Sequence, residues 1–422
     1  MLFGNKAMIT RECNHQNTIR RVCSGSTDHA AFFRNIRGDL LISGYVADNI
    51  TFLADMITAY MRRDDLPTIV LSGHPELFTL LRQRRRAGEI DRVMLSDPVE
   101  RNYHSFYGMN PQQMIHMIHL TAQSLGYNHS MDRVLQYASA ALNIVAATYP
   151  VSLPALVELL RRDDDDISDY ALRIGLSNVI ADIIRANHEA GIILRRTCEV
   201  LVQIFDDVSS SECDTRYNFQ SGAMGNVAVM AFYCVSTNQK LMNAYLKQEL
   251  FFTLKRAPKI RLVADEMDFD RSEEDELLQF LFHMKRQGKI ELVFVSKNAV
   301  ESSCGMQMNF SNVVLSGHDE PAVTEELSKT LWGTYLYHYP NPVAGRPPAL
   351  LFSFRRTIHW QIATEERLRV RAVDLYPSQG LFTRGSDLLA IKTSANSNIY
   401  LVESSRFFRP EPNLSMFAVG SS

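Results

Sequence analysis

The sequence predicts an α/β protein with a mainly parallel sheet that is interrupted by a long helical segment. Short apolar runs rich in β-branched residues recur along the chain, and helical patterns lie between them. The runs are continuous rather than alternating, which is typical of strands covered on both faces. From about residue 110 to residue 206 the periodicity is almost entirely helical. Alternation of strands and helices outside that segment favours a parallel sheet.

Six stretches carry the strand pattern. They are residues 39–44, 67–73, 227–234, 259–266, 289–297 and 312–317. Residues 49–63 and 273–289 have helical periodicity, and Gly288 after basic residues predicts the end of the second helix. Beyond residue 335, prolines are followed by short β-like runs, which predict a small β-rich C-terminal tail.

The domain organisation follows from these patterns. We predict an N-terminal extension over residues 1–37, an α/β domain made of residues 38–109 and 207–422, and an all-helical domain over residues 110–206. The four aspartates at 163–166 are expected to form a solvated loop or helix start. A metal site is the less favoured interpretation, because side chains one or two residues apart do not share a helix face.

Composition limits the classes of function. The chain has 422 residues, of which 46% are hydrophobic, and a net charge of −3. That charge excludes a global attraction to nucleic acid or an anionic membrane, although a local basic patch remains possible. No apolar stretch reaches the ~18 residues that span a bilayer, and the N-terminus lacks a secretory apolar core. We expect a cytoplasmic protein without a transmembrane segment that could still dock on a membrane complex.

Residues 44–51, which read GYVADNIT, have the spacing of a phosphate-binding loop between a strand and a helix. Gly44 and Thr51 match that motif, but Asn49 and Ile50 replace its inner glycine and its lysine. Asn49 could still adopt a left-handed turn. Ile50 has no charge to offer a phosphate, so the loop lacks charge-assisted hydrogen bonds that each contribute roughly 1.5–3 kcal/mol.

An acidic strand end supports the nucleotide-site interpretation. The run KIRLVADE ends in Asp265 and Glu266, which has the form of a Walker B strand. There the aspartate would hold Mg²⁺, together with the Thr51 hydroxyl, and Glu266 would polarise the attacking water. A pair of acids that begins the next helix is the structural alternative. Loop and acidic strand together favour a RecA-like P-loop NTPase sheet.

The order of these parts resembles that of the TraG/VirD4-type coupling ATPases of type IV secretion and conjugation, within the wider FtsK/HerA group. The matching segments are GDLLISGYVADNITFL (38–53), PTIVLSGHPELF (67–78), YGMNPQQM (107–114), the helical stretch after it, RLVADEMDF (261–269), the late strand in 311–337 and the C-terminal strand in 373–393. The resemblance implies ATP and Mg²⁺ as cofactors, a hexamer-like ring, and a secretion-system ATPase or substrate proteins as partners.

The sequence departs from the family at three places. Asn49 and Ile50 disable the phosphate loop, the polar residues Ser296, Lys297 and Asn298 stand where a sensor glutamine is expected, and the N-terminal transmembrane helices are missing. We therefore expect a non-hydrolysing relative that serves as a structural or recruiting subunit. An active motor with a divergent loop and an unrelated α/β binding module are the alternatives.

A basic run offers the one local patch that could bind DNA. Arg82, Arg84, Arg85 and Arg86 lie within five residues of one another at the end of a predicted helix. They could contact DNA phosphates or an acidic partner. A solvated helix end is the structural alternative.

Overall fold

The structure is a computed structural model. It describes residues 36–127, 131–210, 217–225, 227–265, 276–297, 310–316, 334–344, 358–368, 388–393 and 396–403, together with Phe33, Met267 and Glu325. By compactness the chain divides into two units. One consists of Met1–Asp48 with Lys297–Ser422, and the other of Asn49–Ser296.

The unit Asn49–Ser296 contains a parallel sheet. Its described strands are β2 (Thr68–Ser72), β3 (Val93–Ser96), β4 (Val229–Tyr233), β5 (Ile260–Asp265) and β6 (Ile290–Ser296). They lie in the order β6-β5-β2-β4-β3, and every neighbouring pair is parallel. The four strands expected within this unit are confirmed except for small differences in their ends, whereas β3 was not predicted, because its short run VMLS carries no strong pattern.

The helices of this unit follow the chain in order. They are α1 (Ile50–Arg63), α2 (Pro75–Arg86), α3 (Pro111–Ser124), α4 (Met131–Thr148), α5 (Leu153–Leu160), α6 (Asp164–Arg173), α7 (Asn178–Ala186), α8 (His188–Ile204), α9 (Phe219–Met224), α10 (Gln239–Arg256) and α11 (Glu276–Arg286). Helices α3 to α8 form the helical segment, so the α/β fold with an inserted helical region is confirmed. The domain boundaries themselves stay a prediction.

Local sequence signals begin these helices. The side chain of Asn110 accepts a hydrogen bond from the Gln113 backbone, and the Gln113 side chain accepts one in return, with Pro111 in the first turn of α3. The aspartates expected at a helix start are confirmed there, since three of them form the first turn of α6. Their negative charge complements the positive end of the helix dipole.

The unit Met1–Asp48 with Lys297–Ser422 contains strands β1 (Leu40–Ser43), β7 (Asn312–Leu315), β10 (Leu388–Thr393) and β11 (Asn396–Glu403), in the order β11-β10-β7-β1. β1 and β7 are parallel, while β10 is antiparallel to both of its neighbours. The β-rich tail is thus confirmed for its two last runs. The run at 351–355 lies outside the described residues.

A separate two-stranded ribbon pairs β8 (Thr334–Ala344) with β9 (Ile358–Leu368) in antiparallel register. Strand β8 was not expected, because Pro340 and Pro342 interrupt it. A two-stranded ribbon leaves one edge of each strand unpaired, and residues two apart direct their backbone nitrogens to the same edge. Both prolines can therefore occupy the outer edge without losing a ladder hydrogen bond.

Aromatic rings join the helical segment to the sheet within the unit Asn49–Ser296. The rings of Tyr103, which follows β3, and Phe232 on β4 have centroids 4.8 Å apart. Phe205, at the end of α8, lies 5.1 Å from Tyr103 and 4.7 Å from Tyr245 on α10. Tilted and edge-on ring pairs of this kind each add roughly 0.5–1.5 kcal/mol beyond their buried area.

No single helix among the described residues is long and apolar enough to cross a membrane; α4 and α5 reach that composition only when counted together across a 110° bend.

Candidate nucleotide site

The chain leaves β1 through a tight turn at Gly44. The φ of Gly44 is +86°, a conformation that residues with a Cβ rarely adopt. Its N–H donates to the Lys297 carbonyl at 3.2 Å, and its carbonyl accepts the Ala47 N–H at 2.9 Å. Residues Tyr45–Asp48 then form a 3₁₀ helix. This part of the motif is a closed turn, whereas a phosphate loop presents successive N–H groups to an anion.

A serine hydroxyl binds the backbone inside this turn. The Val46 N–H donates to Ser316 Oγ at 2.8 Å. Ser316 directly follows β7 and is only 2% exposed. The hydroxyl oxygen thereby takes one of the donors that a phosphate oxygen would need.

Helix α1 begins with Asn49 as its N-cap. The backbone of Asn49 has φ −84° and ψ 87°, so the left-handed turn that its side chain would tolerate is not formed. Its Oδ1 accepts a hydrogen bond from the Phe52 N–H at 3.0 Å. Asparagine is among the best N-cap residues because it satisfies a helix donor in this way. The carboxamide thus uses a donor of the helix N-terminus where an anion would otherwise bind.

The next two residues occupy the first turn of α1. Ile50 is half-buried and Thr51 is exposed. Ile50 supplies no positive charge at the position of the missing lysine. The Thr51 hydroxyl stays accessible, as a magnesium ligand would require.

Asp265 ends β5 at the carboxyl edge of the parallel sheet, the edge where ligands bind in open α/β folds. It is fully buried, and its Oδ2 accepts a hydrogen bond from Ser72 Oγ at 2.5 Å. Ser72 stands opposite Asp265 in the register between β2 and β5. The His74 N–H donates to the same Ser72 oxygen at 3.1 Å and fixes the hydroxyl in place.

Of the four remaining predicted site residues, two lie within the part of the chain that the structure describes and two do not. Glu266 and Asn298 lie outside the described residues. At the end of β6, Ser296 is half-buried and the next residue, Lys297, is exposed. The roles assigned to these residues and to Thr51 and Asp265 stay predictions.

The arginine run belongs to an intramolecular ion-pair network. Arg82 pairs with Asp97 at 2.5 Å and with Glu100 at 2.9 Å, and Arg85 pairs with Glu100 at 2.5 Å. Arg84 pairs with Asp55 and also donates to the Thr58 hydroxyl at 2.9 Å. Hydrogen bonds to these acids raise the pKa of Arg82 against the opposing effect of burial. Of the run, Arg86 is the exposed member, so little of this charge is directed at an outside phosphate.

A second network lies at the amino end of β5 and β6. Arg261 is fully buried and donates to both oxygens of Asp64, at 3.0 and 2.8 Å, and to Glu291 at 2.9 Å. Arg63 bridges the same two acids at 2.7 and 2.9 Å. Burial raises the pKa of Asp64, but the hydrogen bonds from the two arginines outweigh it and lower the pKa to about 2. Two positive and two negative groups neutralise one another there.

Glu249 is a buried acid on α10 without a basic partner among the contacts described. It accepts hydrogen bonds from the Tyr103 hydroxyl and, at 2.8 Å, from the Phe219 N–H. Burial raises the pKa of Glu249 to about 8, although both hydrogen bonds act to lower it. The carboxyl therefore ties the loop after β3 and the start of α9 to α10 in its neutral form.

Comparison with known proteins finds similarity to several solved structures. No protein-family model and no curated protein sequence matches it. It is similar to the plasmid coupling protein TrwB in complex with ADP and Mg²⁺, at 12% identity over 92% of this chain and 91% of that chain, with a TM-score of 0.48. TrwB with a non-hydrolysable ATP analogue matches at 12% identity over 94% of each chain, with a TM-score of 0.49.

VirB4 of Thermoanaerobacter pseudethanolicus is also similar, at 13% identity over 72% of this chain and 84% of that chain, with a TM-score of 0.37. Identities and TM-scores of this size leave the activity of this chain open.

Sequence reasoning missed Ser316, which binds the turn after β1, and Ser72, which binds Asp265 in the other unit. A signal for them was present, because three strands end in the same dipeptide: Ser43-Gly44, Ser72-Gly73 and Ser316-Gly317. A serine at the carboxyl end of a parallel strand lies at the edge where loops and ligands meet. The partners of Ser72 and Ser316 could not be read from that pattern, since both are distant in sequence.

Proposed function

We propose that this chain is a coupling-protein-like component of a type IV secretion or conjugation-type translocation system that does not hydrolyse ATP. It serves as a structural or recruiting subunit, in the cytoplasm or at the inner face of the membrane through a secretion complex. The sequence resemblance supports the system, and the parallel sheet with its helical insertion agrees with it. The loss of hydrolysis rests on one observation: Asn49 caps α1, and the uncharged Ile50 follows it.

The physical argument concerns charge. A phosphate loop combines inward N–H groups with a lysine that neutralises the β and γ phosphates. Here the donors of Val46 and Phe52 already have intramolecular acceptors, and position 50, where the motif has its lysine, is Ile50. Each missing charge-assisted hydrogen bond removes roughly 1.5–3 kcal/mol of favourable interaction. Binding of ATP and Mg²⁺ in the micromolar range is therefore not expected.

Isothermal titration of the full chain with ATP and Mg²⁺ tests this proposal directly. We expect no binding tighter than the millimolar range and no phosphate release above the buffer rate. Micromolar affinity together with turnover would overturn it.

Restoring the motif is the more informative experiment. We expect the double variant Asn49→Gly with Ile50→Lys to gain nucleotide affinity, since glycine costs only a few tenths of a kcal/mol as an N-cap. The matched control is Asn49→Gly with Ile50→Met, which changes the same two positions without adding charge. Equal affinities in the two variants would show that more than the lysine is missing.

An active motor with a divergent loop is the second candidate. The exposed Thr51 hydroxyl and the position of Asp265 at the carboxyl end of β5 favour it. If the chain hydrolyses ATP, Glu266→Gln should abolish the activity while leaving the fold intact. Activity that persists in this variant would come from another site or a contaminant.

The partner class that we propose is protein: a secretion-system ATPase or the substrate proteins. Arg82, Arg84 and Arg85 are engaged by acids of the same chain, which speaks against the run as a DNA site. A hexamer-like homo-oligomer belongs to the same proposal and is tested by light scattering of the purified chain. Binding to duplex DNA that falls steeply with salt would favour DNA as the cargo.

A further inference from the structure

Two helix-to-strand turns that lie side by side carry the same basic pattern. Residues 255–260 read KRAPKI, and residues 285–290 read KRQGKI. The first turn joins α10 to β5, and the second joins α11 to β6. Ile260 stands opposite Ile290 in the parallel register, and its N–H donates to the Lys289 carbonyl at 3.1 Å. The two turns therefore form one continuous surface at the amino edge of the sheet.

Five of the six basic side chains in these turns are exposed, and we call them the basic patch: Lys255, Arg256, Lys259, Arg286 and Lys289. Within the part of the chain that the structure describes, none of the five forms an ion pair with an acid. The closest acid in the sequence, Glu291, already accepts hydrogen bonds from Arg261 and Arg63. The patch thus carries positive charge that its surroundings do not neutralise.

Two members of the basic patch have uncharged partners. The Lys255 ammonium lies 4.4 Å from the centroid of the Phe251 ring. The Arg256 guanidinium donates to the Gln220 side-chain oxygen once that amide is oriented towards it. These contacts orient the two side chains and leave their charges uncompensated.

The dipoles of the helices explain only part of this charge. Lys255, Arg256 and Arg286 lie in the last turns of α10 and α11, where positive charge is favourable. Lys259 and Lys289 lie outside the helices, at matching positions just before β5 and β6. Neighbouring strands are only about 4.8 Å apart, so these two lysines repel each other. A bound anion would relieve that repulsion.

The setting of the charges favours a mobile anionic surface over a fixed phosphate. Sites for a fixed phosphate commonly use the N–H groups of a helix N-terminus, whereas α10 and α11 present their partially negative C-terminal ends at this edge. The positive charge therefore lies at the tips of long, exposed side chains. Lipid headgroups diffuse within a bilayer and can gather beneath such charges. Clusters of roughly 4–8 lysines and arginines attract anionic lipids in this way.

Apolar groups accompany the basic patch. Phe251 is 37% exposed beside Lys255, and Pro258 is exposed between Arg256 and Lys259. Protein surfaces that lie in the headgroup region of a membrane combine basic side chains with apolar ones. Phe251 and Pro258 give this edge of the sheet the apolar part of that combination.

We propose that the basic patch binds the anionic lipid headgroups of a membrane surface. The proposal rests on the location at the inner face of the membrane proposed above, and it gives the chain a direct contact with the bilayer there. Duplex DNA is the competing polyanion.

Co-sedimentation of the full chain with lipid vesicles tests this proposal. Vesicles of phosphatidylcholine alone are compared with vesicles in which about a third of the lipid is anionic phosphatidylglycerol. We expect binding to the anionic vesicles only, with a partition constant that falls as salt screens the charges. Equal binding to both kinds of vesicle, or no binding to the anionic ones, would contradict the proposal.

Two double variants with the same change in net charge locate the contact. Each basic residue near an anionic membrane raises the binding constant roughly fivefold. Lys259→Gln with Lys289→Gln should therefore weaken vesicle binding at least tenfold. The matched control is Lys240→Gln with Arg133→Gln, because both residues are exposed and lie outside the patch, in the first turns of α10 and α4. We expect less than a threefold change for the control, and equal effects of the two variants would remove the patch from the proposal.

A third double variant keeps the charge. Lys259→Arg with Lys289→Arg should bind anionic vesicles as the wild type does. A loss as large as that of the glutamine variant would show that the charge of the patch is not what binds. Titration with a duplex oligonucleotide covers the competing ligand: duplex binding that is tighter than vesicle binding and is lost in the glutamine variant would assign the patch to nucleic acid and overturn the proposal.

The test is independent of the proposed ATP deficit. Lys259 and Asp265 lie at opposite ends of β5, which puts about 20 Å of strand between the patch and the candidate nucleotide site. We expect the glutamine variant to behave like the wild type in isothermal titration with ATP and Mg²⁺. Loss of vesicle binding and gain of nucleotide binding are thus separate results, so either proposal can fail without the other.

Discussion

The hydroxyl of Ser72 donates a 2.5 Å hydrogen bond to the buried carboxylate of Asp265. The two residues lie opposite each other at the carboxyl ends of neighbouring parallel strands, and both are fully buried. In a site built to hold Mg²⁺, the Oδ2 atom of this carboxylate would be available to accept a hydrogen bond from metal-bound water. In this chain the hydroxyl of Ser72, on the neighbouring strand, already donates to that oxygen.

Ser72→Ala should therefore lower the free energy of unfolding more than an ordinary serine substitution does. A hydrogen bond to a charged group contributes about 1.5–3 kcal/mol, against about 0.5–1.5 kcal/mol for a neutral one. Ser96→Ala is the control, because Ser96 ends β3, is fully buried and bonds the neutral Tyr217 hydroxyl at 2.8 Å. Ser72→Ala also removes the acceptor of the His74 N–H, a neutral bond of about 0.5–1.5 kcal/mol that is subtracted in the comparison. Urea denaturation of the two variants measures the difference. Equal losses would show that the hydrogen bond to Asp265 contributes no more than the neutral one at Ser96.

Asn49 offers a test of the cap that replaces the phosphate-loop glycine. Asn49→Ala should cost about 1 kcal/mol of stability, and Asn49→Gly only a few tenths, because glycine is a tolerated N-cap residue. Urea denaturation of both variants measures these values. Asn49→Asp is the control that keeps the acceptor and should stay near the wild type. Equal costs for alanine and aspartate would mean that the side-chain bond to Phe52 does not stabilise α1.

The α/β sheet was predictable because its strands are short, continuous apolar runs between helices. The sequence also indicated that Gly44 directly follows one such run and that Asp265 stands at the end of another. What it could not reveal were contacts made by residues far apart in the chain. Ser72 and Asp265, which form a hydrogen bond, are 193 positions apart in the chain. Val46 and Ser316, which form another, are 270 positions apart. No local periodicity reports partners at that separation.

At two further places the structure differs from the sequence-based expectation for a local physical reason. Asparagine tolerates a left-handed backbone, which was the basis for expecting such a turn at Asn49. Asparagine also favours the N-cap position of a helix, and this is the role that Asn49 has in the structure. The arginine run was interpreted from its charge alone. Its acid partners Asp97 and Glu100 follow the next strand, where only the packing of α2 beside β3 brings them within reach of Arg82.

Arg261 should be among the most sensitive positions of the fold. Among the described residues, Arg261→Met leaves Asp64 and Glu291 with Arg63 as their counter-charge, and loss of one partner from a buried ion pair costs about 3–5 kcal/mol. Arg367→Met is the control, because its pair with Glu365 is exposed and should contribute about 0–1 kcal/mol. Thermal unfolding of both variants measures the contrast. A similar small effect at both positions would contradict the network.

The same network predicts acid sensitivity through Asp64. Its pKa is lowered from 3.8 to about 2 in the folded chain, so its ionised form is favoured by folding. That contribution is fully present above pH 3.8 and is lost as the pH falls towards 2. Asp64→Asn should remove this part of the pH dependence when unfolding is followed between pH 5 and pH 2. An unchanged profile in the variant would assign the acid sensitivity to other carboxylates.

Because of the buried Glu249 carboxyl, we expect the free energy of unfolding to change with pH in the opposite direction at higher pH. Its pKa is raised from 4.5 to about 8 by burial, so the folded chain keeps a proton that the unfolded chain releases. Stability should therefore fall as the pH rises from 4.5 to 8, by roughly 1.4 kcal/mol per pH unit, and level off above that range.

Glu249→Gln isolates this effect because glutamine is a neutral mimic of the protonated acid. Its carbonyl can accept from the Phe219 N–H, while its amide nitrogen replaces the oxygen that accepts from Tyr103, so that this one hydrogen bond reverses and the amide donates to the Tyr103 oxygen. We expect the variant to match the wild type near pH 4 and to exceed its stability at pH 9, in urea denaturation at a series of pH values. A constant difference across that series would mean that Glu249 titrates alike in both states. The loop after β3 would then be held by an ionised carboxylate despite its burial.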